Sequence, residues 1–186
     1  AAHTGASAAA LVAMVARLTV GKKKYAAVEE QMWPLIEEAD RLRGELTAAM
    51  AEDSAVFTAF MATTKLPKET PEQISAREAA METATLAAAQ VPYHTVQSSY
   101  RVMELAAKAA ELGNLNAISD ACSAVHLAQA AIQSAGLNIL VNVKNLKDPA
   151  PAADLVVGLH QYEQSARELE EKVKTIVETR AEIKLG

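Results

Sequence analysis

The chain has 186 residues, enough for one domain with a substantial core. Hydrophobic residues make up 51% of it and aromatics only 4%, and runs such as Ala8-Ala9-Ala10 and Ala87-Ala88-Ala89 suit close helix packing better than pleated sheets. A net charge of -5 excludes a whole-protein nucleic-acid binder, which needs a surplus of Lys and Arg, and a single Cys122 excludes an internal disulfide, so a reducing cytoplasmic setting is expected.

The spacing of apolar residues predicts a first helix from near the start to about Thr19, stopped at Gly21, where glycine adopts the left-handed conformation that ends helices. Its opening residues read as mid-helix with no cap before Ala1, which suggests that the natural chain continues upstream. A second helical segment is expected from about Tyr25 to Leu66, with Val28, Met32, Leu35, Ile36, Leu42, Leu46 and Met50 at helical spacing and interruptions at Pro34 and Gly44. Residues 66–71 form a break. Thr70 is placed as an N-cap, Pro71 as the first helical residue and Gln73 as the third, which makes a near capping box.

The third helix is expected to reach Leu112 and to bend near residues 88–90, because Pro92 removes a backbone donor. Gly113 ends it, Asn114 caps the next segment, and a mostly apolar helix follows from about Leu115 to Asn145. That stretch is long enough to span a membrane. Asp120, His126, Gln129, Gln133, Asn138 and Asn142 argue for a buried helix instead, so no membrane partner is expected. After a connection at residues 147–151, an amphipathic last helix covers about Ala152 to Lys184. The expected fold is therefore all-α, an up-and-down bundle of about five long helices in one domain spanning 1–186.

Three stretches carry a resemblance: 14–25, ending in Gly21-Lys22-Lys23-Lys24-Tyr25; 66–72, Leu-Pro-Lys-Glu-Thr-Pro-Glu; and 113–120, beginning Gly113-Asn114-Leu115-Asn116 and ending Ser119-Asp120. Asp53-Ser54-Ala55-Val56-Phe57, Val91-Pro92 and residues 138–144 support it. In order and separation they resemble the formiminotransferase-cyclodeaminase C-terminal domain family, which includes stand-alone methenyltetrahydrofolate cyclohydrolases. The family's proline- and glycine-rich loop before the first helix falls upstream of Ala1, and Thr4-Gly5-Ala6-Ser7 lines up with the middle of that helix. The resemblance implies a cytoplasmic helical homodimer acting on a tetrahydrofolate one-carbon derivative without metal or redox cofactor. It leaves two reactions, cyclohydrolase and cyclodeaminase, of which the free-standing length and the Gly-Lys-Lys-Lys-Tyr and Gly-Asn-Leu-Asn stretches favour the first. A non-catalytic helical assembly module is the rival from another class.

Both reactions pass through a tetrahedral carbon between two folate nitrogens and move a proton, a task suited to a carboxylate that also stabilises the cationic amidinium. Asp120, at the entrance of the most apolar helix, is the expected proton relay; its bland role is a first-turn acid answering the helix dipole. Asn114, Asn116 and Ser119 bring amides and a hydroxyl to the same entrance and suit the edge of a pterin ring. Lys22, Lys23 and Lys24 are expected near the one-carbon unit or the anionic tail, with Tyr25 stacking or donating beside them. Asp53 and Phe57, one turn apart, can present an acid and a ring to one pocket, although Phe57 reads first as a core residue. Asn142 is expected to bond a neighbouring backbone and Lys144 to favour the terminal dipole. Cys122 reads as a small buried hydrophobe and His126 as a hydrogen-bonded core residue. No histidine pair has metal spacing, and no nucleophile elbow or phosphate loop is present.

Overall fold

A computed structural model describes residues 1–185 as helices joined by short turns, with no strand among the described residues. Five long helices carry the fold: α1 (Ala2–Thr19), α2 (Glu29–Thr63), α3 (Pro71–Leu112), α4 (Ile118–Lys144) and α5 (Ala153–Ala181). Short 3-10 turns at Lys23–Val28, Leu115–Ala117 and Ala150–Ala152 connect them.

The order of burial follows from the side chains. Helix α1 is built from alanine and valine on most sides, and Ala8, Ala9, Val12, Ala13, Val15 and Ala16 are all buried, so α2, α3 and α4 can pack closely around it. Helix α4 buries Ala121, Ala124, Val125, Ala128, Ile132, Ala135 and Ile139 in contacts with α1, α3 and α5. By length and composition the stretch Leu115–Lys144 is apolar enough to cross a membrane, and this buried stripe accounts for much of its hydropathy. On α2 the stripe Met32, Leu35, Ile36, Ala39, Leu42, Leu46 and Ala49 is buried, whereas nothing beyond Ala49 is. The outer half of α2 and the first turns of α3 are the least covered part of the bundle, with Met50, Phe57, Met61, Leu66 and Ile74 exposed.

The boundaries follow local chemistry. The expected capping box is present: Thr70 Oγ1 accepts from Gln73 N at 3.3 Å and Gln73 Oε1 accepts from Thr70 N at 3.4 Å. Gly21 has φ of +72°, the left-handed turn assigned to it. The expected start of the second helix at Tyr25 is corrected to Glu29. The chain first makes the 3-10 turn Lys23–Val28, because the Tyr25 hydroxyl accepts from Leu115 N at 2.9 Å while the Glu29 carboxylate accepts from Gly21 N at 3.0 Å. Gly113 ends α3 in an extended conformation, with φ of -73°, rather than a left-handed one. Its lack of a side chain serves a close approach instead, since a Cβ there would overlap the Ala109 carbonyl oxygen and lie 3.0 Å from Val15 Cγ1 on α1. Helix α5 stops at Ala181, three residues before the expected end at Lys184, where Glu182 takes the left-handed conformation.

Pro92 sits buried inside α3, which runs on through it. A proline has no N–H for the carbonyl four residues back, here that of Ala88. The orphan is satisfied from another helix: Asn142 Nδ2 on α4 donates to Ala88 O at 2.9 Å, the backbone contact expected of Asn142.

Candidate active site

Asn142 and Ala88, joined by that bond, line a cavity of about 370 Å³ between α2, α3 and α4. Asp53 and Phe57 enter it from α2, Thr85 from α3, and Asn138 and Asn142 from α4. The three carboxamides Asn138, Asn142 and Asn145 follow at intervals of four and three, so they share one helical face. A second cavity of about 230 Å³ shares Asp53 and Asn138 and reaches the first residues of α1.

The polar groups here have capacity left over. Asn142 Nδ2 is taken by Ala88 O, and Asn138 Nδ2 donates to Ser134 O at 3.3 Å, which leaves both Oδ1 atoms as acceptors. Thr85 Oγ1 donates to Met81 O at 2.8 Å. The Asp53 carboxylate is exposed and makes no hydrogen bond or ion pair within the described residues. Carboxylate and amide oxygens beside Phe57 and Phe60 suit a flat ring that carries N–H donors and a cationic carbon.

The helix entrance holds the other expected residues together at a different place. Asn114 uses its side chain within the fold: Oδ1 accepts from Asn116 N at 3.1 Å, and Nδ2 donates to Leu18 O at 2.9 Å. Its backbone N–H donates to Thr19 Oγ1 at 2.8 Å, so the connection from α3 to α4 is tied to the end of α1. Tyr25 is held there by Leu115, with Lys24 Nζ 5.6 Å from its ring centroid, a cation–π distance. Lys22, Lys23 and Lys24 are exposed, as are Asn116 and Ser119. Asp120 lies half-buried in the first turn of α4, away from the Asp53 cavity and from four other cavities of the bundle.

Two acids expected to serve one ligand therefore stand apart. From Asp120 to Asn138, which faces Asp53, is eighteen residues of α4, about 27 Å at the helical rise. Within a single chain they cannot act on the same carbon. Asn138 and Asn145 were not among the expected site residues, although their helical spacing with Asn142 was readable.

Elsewhere, a cavity of about 610 Å³ lies between the start of α2 and the end of α3, lined by Glu30, Glu38, Lys108 and Glu111. One of about 360 Å³ lies beside His94 and Glu52. A fifth, of about 410 Å³, is bordered by Cys122 and His126. Neither of these two is the buried residue expected: Cys122 is half-buried, and the His126 side chain is 59% exposed and 3.0 Å from Glu170. No group of three His, Cys, Asp or Glu among the described residues has metal-binding geometry.

A methenyltetrahydrofolate cyclohydrolase from Methylorubrum extorquens is 41% identical over 97% of this chain and 86% of its own length. A formimidoyltransferase-cyclodeaminase from Rattus norvegicus is 29% identical over 80% of this chain, which corresponds to 27% of that longer protein. The crystal structure of formiminotetrahydrofolate cyclodeaminase from Thermotoga maritima superposes with a TM-score of 0.84 at 28% identity, covering 96% of this chain and 85% of that one. The family profile described as formiminotransferase-cyclodeaminase matches residues 1–161. By sequence over most of its length and by fold, the chain belongs to the formiminotransferase-cyclodeaminase family.

Proposed function

We propose that this chain is a methenyltetrahydrofolate cyclohydrolase and that the Asp53 cavity takes the pterin and its one-carbon bridge. The observation that carries the reaction is the 41% identity to a cyclohydrolase, spread over nearly the whole of both chains. The chemistry needs water, the folate and side chains only. Hydrolysis changes no oxidation state, so no redox cofactor enters the proposal; it includes no metal, and it keeps the cytoplasmic setting expected from the single cysteine.

The bridging carbon of the substrate is an amidinium, and a carboxylate beside it lowers the energy of that cation. Water adds to the carbon and gives one proton to the carboxylate, leaving a neutral tetrahedral intermediate. The acid then protonates the ring nitrogen as its bond to carbon breaks. The remaining hydroxyl proton leaves to solvent, so one proton is released for each water consumed. Asp53 holds the position for this relay, and the acceptor oxygens of Asn138 and Asn142 suit the N–H edge of the pterin.

Asp120, Lys23 and Lys24 enter the proposal through a second copy of the chain. A homodimer that packs the helix entrance of one copy over the Asp53 cavity of the other puts the second acid and the lysines beside the same substrate. Exposed Phe57, Leu137 and Val141, each more than half accessible and close to the cavity in sequence or space, supply apolar area for such a contact. Asn116 and Ser119 then face the ligand from the partner, while Asn114 and Tyr25 hold the entrance in shape.

The second reading is formiminotetrahydrofolate cyclodeaminase, favoured by the structural match at a TM-score of 0.84. There the same acid protonates departing ammonia as the ring closes. The two reactions are separated by following loss of methenyl absorbance and ammonia release in parallel. We expect the first and not the second; ammonia released from the formimino substrate with no methenyl hydrolysis reverses the assignment. Asp53→Asn should lower kcat at least about 100-fold with an unchanged melting temperature, and wild-type turnover in that variant removes Asp53 from the site.

A further inference from the structure

Three side chains on α4 and α5 stand in series outside the proposed folate site. Cys122 Sγ is 3.5 Å from His126 Nε2, and His126 Nδ1 is 3.0 Å from Glu170 Oε1. The first pair follows from helix geometry, because residues four apart on α4 lie one above the other. The second pair is made by packing α5 against α4. In the neutral tautomer that donates Nδ1–H to the Glu170 carboxylate, the imidazole has its Nε2 lone pair facing the thiol, which is the order in which a carboxylate orients a base and the base receives a nucleophile's proton.

The thiol has somewhere to meet a reactant. A cavity of about 410 Å³ is bordered by Cys122, Val125, His126, Glu170, Glu171 and Lys174. We propose that Cys122, His126 and Glu170 form a base-assisted thiol nucleophile whose cavity admits a small uncharged α,β-unsaturated carbonyl compound. Sγ bonds to the β-carbon, the π pair of the double bond moves onto the carbonyl as an enolate, and the thiol proton passes through His126 Nε2 to the α-carbon. Nothing leaves and nothing is oxidised.

The charges around the group fix how it reacts. Burial and the nearby Glu170 carboxylate both push the Cys122 thiol up from its ordinary value. Glu171 and Lys174 are the other charged groups facing it from α5, and the resting form is therefore the thiol, not the thiolate. Reaction then depends on neutral His126 accepting the proton at the moment of attack. Glu170 has opposite effects in the two cases: it helps a relay by orienting the base, and it hinders a simple thiolate by repulsion.

N-Ethylmaleimide is the probe, used on the full chain, where the single cysteine gives one adduct by intact mass. The second-order rate at pH 7 should fall at least about tenfold in His126→Gln, and it should also fall in Glu170→Gln. At pH 7 the folded wild type should also react faster than the same chain unfolded in urea, even though burial and Glu170 hold the folded thiol up. A His126→Gln rate equal to wild type, or a Glu170→Gln rate above it, overturns the relay. Where a variant loses its helical circular dichroism, the comparison of folded with unfolded wild type decides alone, and a folded rate at or below the unfolded one overturns the proposal.

Discussion

Arg101 and Glu38 tie α3 to α2 through two parallel bonds, Nε to Oε1 at 2.7 Å and the second guanidinium nitrogen to Oε2 at 2.8 Å. Arg101 also reaches Glu104 at 2.8 Å, so one planar cation bridges two acids. The bonds from Arg101 hold the Glu38 carboxyl below its ordinary value of 4.5 against the opposing effect of burial. A carboxylate whose value is lowered on folding adds stability above its unfolded value and loses it as the pH falls through the folded one. With Arg101 40% and Glu38 29% exposed, solvent screening keeps the contribution to about 1 kcal/mol or less. Urea titrations of Glu38→Gln should therefore show a small loss of stability at pH 7 that closes below pH 4.5. A gap that does not narrow as the pH falls below 4.5 assigns the loss to packing instead. Nothing in the order of residues pairs Arg101 with Glu38, sixty-three positions away; only the packed bundle does. The pairing of Asp53 with Phe57 was readable because one turn of helix fixes it, whereas the core place expected of Phe57 is corrected: the residue is 63% exposed, since the outer half of α2 is little covered.

At the scale of helices, most of the architecture was written in local signals. Periodic apolar residues, the capping box at Thr70 and the left-handed Gly21 each depend on neighbours a few positions away, and each appears where expected. The error at the second helix falls where a distant group intervened. The helix expected from Tyr25 gives way to a 3-10 turn because Leu115, ninety residues on, bonds the Tyr25 hydroxyl. Pro92 is the converse case, a local defect repaired from a distance. If Asn142 stands in for the missing donor, Asn142→Ala strands the Ala88 carbonyl and should cost about 1–3 kcal/mol of stability by chemical denaturation. In a Pro92→Ala background the backbone N–H returns, and the same substitution should cost clearly less. Equal costs in both backgrounds would mean that the Asn142 bond is not the substitute donor.

The whole molecule poses the question that no single helix answers, because α4 carries polar groups suited to one substrate at both of its ends. Asp120 stands at one end and the Asn138–Asn142 pair, facing Asp53, at the other, about 27 Å apart. In a two-fold dimer the same patch on each copy meets its counterpart's complement, so a site built from the entrance of one copy and the cavity of the other occurs twice. Such a site has a signature that one acid in one chain lacks. Asp53→Asn and Asp120→Asn are then each inactive alone, yet a mixed dimer contains one site with both acids intact and one with neither. Random exchange makes half of the dimers mixed, so an equimolar mixture should recover about a quarter of wild-type activity. Turnover of the mixture after partial unfolding and refolding, with each variant refolded alone as control, measures it. Full activity in Asp120→Asn alone leaves Asp53 as the working acid of a one-chain site. Two inactive variants that do not complement place both acids in the same copy's reaction, which the length of α4 forbids, and so leave at least one of them a structural role.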